Sequence, residues 1–179
     1  MGRLPAERLV FLDESGLNVS MTRSHAWVKK GSEHIERTPM NWGKNLTLLG
    51  AMRLSGWVLL STMFESTNKD RFICWLVTKL LPRLKRGDIL VMDNLTAHKG
   101  PRVEYWCKHF GVRLLYLPPY SHDFNPIEPG WGHQKQYVRK HAPRTSAELV
   151  RVARCARHRI TPRHCRSWFA HSGYSVQPK

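Results

Sequence analysis

Asp13, Asp93 and Glu128 are the residues whose type and placing could do chemistry. Asp13 ends the apolar run Leu9-Val10-Phe11-Leu12, Asp93 ends Ile89-Leu90-Val91-Met92, and Glu128 closes the turn-rich stretch PPYSHDFNPIE. Short runs rich in branched apolar residues predict buried strands, and open α/β sheets present their chemistry at strand ends. Three carboxylates gathered there would repel one another and raise their own pKa values; magnesium ions would hold them ionised. A pair of such ions activates an attacking oxygen and stabilises a leaving one, which is phosphodiester chemistry. Plainer roles compete. An Asp at a strand end commonly serves a turn or a helix cap. Asn125-Pro126-Ile127-Glu128 also fits a capping-box-like helix start, with Pro at N1 and Glu at N3. Glu14 and Asp123 are the rival carboxylates.

The elements that must position these acids are legible from periodicity. Residues 1–63 read as strand-rich, with Ala26–Val28, Leu46–Met52 and Trp57–Met63 after the first strand, the last two split by the turn Leu54-Ser55-Gly56. Lys29 to Lys44 predicts a loop or a short exposed hairpin. From Asn68 the spacing turns helical through Phe72, Ile73, Leu76 and Leu80, with Asn68 or Thr67 as cap and Pro82 and Gly87 as stops. Asp88–Asp93 predicts a strand, Pro101 opens a helix that Gly111 stops, and Val112–Leu117 is a further strand. Nearly everything after Asn125 is helical, although Pro129 predicts a delayed start to the helix that carries Glu128. Trp131 is expected to pack that helix onto the sheet. The order of elements predicts a mixed α/β domain built on one sheet.

Composition narrows the partners. The chain has 179 residues, 41% of them hydrophobic, which suits one domain with a real core. Its formal charge of +16 points to a polyanion, and nucleic acid is the first to consider. From His133 to Lys179 there are eleven Lys or Arg against the single acid Glu148. In this tail Leu149, Val152, Ala153, Ala156 and Ile160 share one helical face, leaving Arg151, Arg154, Arg157 and Arg159 outward. Arg139, Lys140, Arg144, Arg151, Arg154 and Arg157 are therefore the expected DNA contacts, through sequence-independent phosphate interactions. His34, Arg37 and Trp42 in the polar loop are weaker candidates. Cys74, Cys107, Cys155 and Cys165 form no CxxC pair, and Cys155, His158, His164 and Cys165 match no structural zinc spacing. Buried free thiols are expected. No apolar segment approaches the ~20 residues of a membrane span, and the N-terminus lacks a signal-peptide core, so no membrane partner is expected.

Five segments taken in order add a resemblance. FLDESG at 11–16, AWVKKG at 26–31, LLGAM at 48–52, VMDNLTAH at 91–98 and YLPPYSHDFNPIEPGW at 116–131 resemble the motifs of DDE transposases, most of all the bacterial insertion-sequence branch of the mariner-like superfamily. The 34 residues between Asp93 and Glu128 match the separation of that family's second and third acids. The likeness runs from about Leu9 to Lys140. It implies a ribonuclease-H-like fold, a mixed five-stranded sheet flanked by helices, over residues 1–140, with 141–179 as a basic helical extension of the same domain. It implies that Asp13, Asp93 and Glu128 bind Mg2+, with Mn2+ able to substitute, and that Asn94 and His98 support the second acid. His122 and Phe124 depart from the Pro and Leu common in the family's segment.

The activity so implied is cutting of transposon DNA ends and joining of the freed 3′ hydroxyl to target DNA. The implied partners are double-stranded DNA, a second copy of the chain on that DNA, and a separately encoded N-terminal helix-turn-helix part, since the chain begins twelve residues before Asp13. A cytoplasmic, nucleoid-associated location follows. A non-catalytic DNA-binding remnant and a ribonuclease-H-like nuclease or junction resolvase remain the alternatives.

Overall fold

The computed structural model describes residues 4–23, 25–41, 43–95 and 98–176. Five strands, β1 (Leu9–Leu17), β2 (Leu46–Arg53), β3 (Gly56–Met63), β4 (Ile89–Met92) and β5 (Arg113–Tyr116), form one sheet in the order β3-β2-β1-β4-β5. The β1–β2 and β2–β3 pairs are antiparallel, as a direct hairpin requires, while β1–β4 and β4–β5 are parallel and need helical crossovers. The helices are α1 (Lys69–Trp75), α2 (Pro101–His109), α3 (Glu128–His141), α4 (Ser146–Arg157) and α5 (Pro162–His171).

Strand alternation divides the interior in two. Leu9 and Phe11 of β1 face a core shared with Trp131, Val138, Leu149, Val152 and Phe169 of α3, α4 and α5. Val10 and Leu12 face the other core, with Phe72, Ile73, Val103 and Cys107 of α1 and α2. Central strands covered on both sides read as continuous apolar runs, which is why β1 and β4 stood out. The odd-numbered Asp13 thus lies on the α3 side of the sheet.

Several local expectations change. Ala26–Val28 is no strand: the segment has no regular structure and Trp27 and Val28 are exposed. Asp13 does not end its strand, because β1 continues to Leu17; it stands where the β1–β4 pairing ends, just past Leu12↔Met92. The helix capped by Asn68, whose side chain accepts from the Arg71 N–H, widens after Trp75 into a π-helical turn over Leu76–Leu80 and tightens at Leu81–Arg83. Pro82 has no N–H to continue the regular ladder. α3 begins at Glu128 in spite of Pro129, because a proline within the first turn gives up only an N–H that has no helical partner. Two of the four thiols, Cys74 and Cys155, are exposed rather than buried. Among the described residues no helix is long and apolar enough to cross a membrane.

Candidate active site

The sheet register brings the two aspartates side by side. Leu12 of β1 pairs with Met92 of β4, so Asp13 within β1 and Asp93 just past the end of β4 stand at the same level. After β5 the chain turns through Pro118 and Pro119, makes a short turn at His122–Phe124 and enters α3 at Glu128. All three acids, with Asn94, Lys99, His122 and Asn125, line one cavity of about 510 Å³.

Asp13 is the most tightly held. Its side chain is buried, and its carboxylate accepts from the Glu14 backbone N–H at 2.7 Å, from Trp131 Nε1 at 3.0 Å and from Asn125 Nδ2 at 3.4 Å. Burial, then the charge of Glu128 and more weakly that of Asp93, push its pKa up to about 7, against the donors that pull it down. Trp131 therefore does more than pack. Its indole stands 5.0 Å from that of Trp57 and lies over Gly50, where a Cβ would come within 2.6 Å of the Trp131 ring. Gly50 is the β2 partner of Asp13, so the small residue opposite the acid makes room for the ring that binds it. The motif LLGAM carried that signal; the donor role of Trp131 had none, because an apolar helix position gives no hint of where an indole N–H points.

Asp93 is held from the other side of the sheet. Its Oδ1 lies 2.6 Å from Nδ1 of the fully buried His98, whose Nε2 is 3.7 Å from Glu14 Oε1. Burial disfavours the imidazolium, but the two carboxylates outweigh it and raise His98 to about 9, so the ring is protonated at neutral pH. Burial likewise pushes Asp93 upward, and the His98 bond and charge overcome it, leaving the acid below its usual range. His98 also packs on Phe72 at 4.4 Å. Asn94 lines the cavity but gives its amide to the Leu117 carbonyl at 2.8 Å, tying the ends of β4 and β5 together.

Glu128 is half-buried and pairs with the exposed His122, whose Nδ1 lies 3.3 Å from Oε1. No capping box forms here: Ile127 precedes the helix without a side-chain cap. The capping boxes lie instead at Thr145/Glu148 and Thr161/His164. Among the described residues no three His, Cys, Asp or Glu side chains stand close enough together to hold a metal ion. The donor set nonetheless suits one: hard carboxylate oxygens sharing one cavity, one of them driven toward protonation by burial first and then by the charge of the other two. Asp13, Asp93 and Glu128 are the residues that would hold it.

The expected DNA contacts separate. Arg139 and Lys140 line an 800 Å³ cleft along α3 with Arg23, His25, His133 and Gln136. Arg154 and Arg157 line a smaller depression with Lys79, and Arg151 is exposed on α4. Arg144 differs: its guanidinium donates to the carbonyls of Val19, Met21 and Arg37 and to Glu36. These bonds make it a tie between the 18–45 loop and the α3–α4 turn, leaving little for phosphate. His34 and Arg37 are exposed, and Trp42 lies outside the described residues.

A mixed five-stranded sheet flanked by helices, with two acids on adjacent central strands and a third at a helix start, is a ribonuclease-H-like domain. The chain belongs to the DDE superfamily endonucleases, whose family model matches residues 8–150. It is 26% identical over 144 residues to the Transposable element Tc1 transposase of Caenorhabditis elegans, covering 73% of this chain and 51% of that protein. It is 24% identical over 152 residues to the Tcb2 transposase of Caenorhabditis briggsae, covering 77% and 54%. The chain thus spans about half the length of these curated relatives. The fold matches the Mos1 mariner paired end complex with Mn at a TM-score of 0.72 and 18% identity, covering 94% of this chain and 52% of that one. It matches the catalytic domain of Mos1 mariner transposase at 0.56 and 16%, covering 96% and 85%.

Proposed function

We propose that this chain is the catalytic domain of a DNA transposase, cleaving transposon ends and joining the 3′ hydroxyl to target DNA. The observation that carries this is the register that sets Asp13 beside Asp93 in a cavity they share with Glu128. Magnesium or manganese bound by these carboxylates would activate the attacking oxygen and stabilise the leaving one. The chain's own residues do the rest. Trp131 and the Glu14 N–H aim the Asp13 carboxylate; protonated His98 keeps Asp93 ionised and turned. Lys99 at the cavity edge supplies positive charge for a phosphate. Arg139 and Lys140 in the α3 cleft, with Arg151, Arg154 and Arg157 on α4, track the DNA backbone.

Several finer points belong to the same proposal. Residues 1–140 form the catalytic unit, and 141–179 a basic extension whose helices join its core through Leu149, Val152 and Phe169. The motifs favour the bacterial insertion-sequence branch, a nucleoid-associated cytoplasmic location, a dimer on DNA, and a separate helix-turn-helix part for end recognition. One observation favours the non-catalytic remnant: among the described residues the acids do not stand at ligand separation. Manganese binding followed by electron paramagnetic resonance decides between them. Uptake of Mn2+ that Asp13→Asn abolishes supports the catalytic reading; salt-dependent DNA binding with no Mn2+ uptake supports the remnant. Strand transfer of a 3′-hydroxyl end then separates a transposase from a simple nuclease.

A further inference from the structure

The mouth of the acidic cavity is unexpectedly apolar. Among the described residues the large exposed hydrophobic side chains include Leu95, Tyr120 and Phe124, and Leu95 and Tyr120 line the cavity that holds Asp13, Asp93 and Glu128. Tyr120 is 99% exposed, so packing does not keep it there. It also sits at φ +57, in the left-handed region that is unusual for a bulky residue. Gly or Asn would adopt that backbone more easily. The rigid Pro118-Pro119 step directly before it and the Ser121 hydroxyl bond to the Pro119 carbonyl, at 3.2 Å, hold the turn that projects the ring. A strained backbone that presents an unpacked aromatic at the lip of a candidate catalytic cavity has a cost in stability and no compensating contact among the described residues.

We propose that Tyr120 is a stacking platform for an unpaired nucleobase next to the phosphodiester that enters the cavity. A carboxylate cluster repels a nucleic-acid strand, and Arg139, Lys140, Arg154 and Arg157 line other depressions than this cavity; an aromatic face at the lip holds the strand by a contact that carries no charge. Every base offers a π-face, so the contact is sequence-tolerant and favours a base already out of its pair. This rests on the nucleic-acid reading above and assigns one ligand, an unstacked base, to one subsite.

The test uses two duplexes, one fully paired and one with a short single-stranded gap carrying 2-aminopurine, without divalent cation so that no cleavage intervenes. The wild-type chain and Tyr120→Phe bind the gapped duplex more tightly and quench its fluorescence. Tyr120→Asn, which suits the left-handed backbone, keeps or raises the melting temperature. It loses about fivefold to a hundredfold in affinity for the gapped duplex, as expected for one lost stacking contact, and abolishes the quenching. Paired-duplex binding is unchanged. The proposal is overturned if Tyr120→Asn keeps the gap preference and the quenching, or if the wild-type chain shows neither. Failure of this kind leaves the catalytic reading standing as long as cleavage in magnesium still depends on Asp13 and Asp93; absence of any DNA binding by the wild-type chain removes both.

Discussion

The two aspartates and the glutamate are held by opposite means. Asp13 stands within the sheet, buried and contacted by three donors, and Asp93 is clamped by a buried imidazolium. Glu128 stands half-exposed at the first turn of α3 against an exposed histidine. Strand pairing fixes two oxygen sets at one level, whereas the third rides on a helix whose placement depends on side-chain packing. The link between the two regions is Trp131, which sits three residues after Glu128 and bonds Asp13. A site built this way is preorganised on the sheet side and adjustable on the helix side.

Disturbing the link has the largest effect on stability. Gly50→Ala places a Cβ within 3 Å of both Trp131 and Trp57, so it destabilises the fold by about 2–3 kcal/mol and displaces the Asp13 partner. Chemical denaturation measures the first effect and DNA cleavage the second. Trp131→Phe keeps most of the packing but removes the indole donor to a charged acceptor, with a loss of about 1.5 kcal/mol that is largest where Asp13 is ionised.

The sheet side also predicts two pH windows. Asp13 has its folded pKa raised to about 7, so the stability it contributes to the metal-free chain is complete below the ordinary Asp range and is lost as pH rises from about 4 through 7. Asp13→Asn abolishes this decline and stabilises the metal-free chain at pH 8 by on the order of 1 kcal/mol. His98, raised to about 9, gives a second decline between about 6.5 and 9, which His98→Gln removes. Thermal melts across pH with chelator present follow both. The helix side gives the smallest change: Glu128→Gln shifts stability by no more than about 0.5 kcal/mol, because little packs on that carboxylate, while cleavage is lost.

Much of this was legible in residues alone, and the gaps have physical causes. The apolar runs before Asp13 and Asp93 announced central strands because both sheet faces are covered, and Pro101 and Gly111 bounded α2 by backbone chemistry alone. The run Ala26–Val28 misled because β-propensity measures fit to a sheet, and among the described residues no strand pairs with it. The rival reading of Glu128 as a capping residue fails because the cap signature is local, whereas the side chain lines a cavity formed from segments far apart in sequence. Arg144 read as a phosphate contact because composition counts charge without seeing where a guanidinium finds carbonyls. The Trp131–Asp13 bond, across 118 positions, could be seen only once the fold was known.

Cleavage of supercoiled plasmid in magnesium, with DNA affinity measured beside it, tests the central claim most directly. The three-carboxylate account predicts that Asp13→Asn, Asp93→Asn and Glu128→Gln each lower the cleavage rate on the order of a thousandfold or more while binding DNA as the wild-type chain does. Cleavage that persists at the wild-type rate in Asp13→Asn or Asp93→Asn contradicts it.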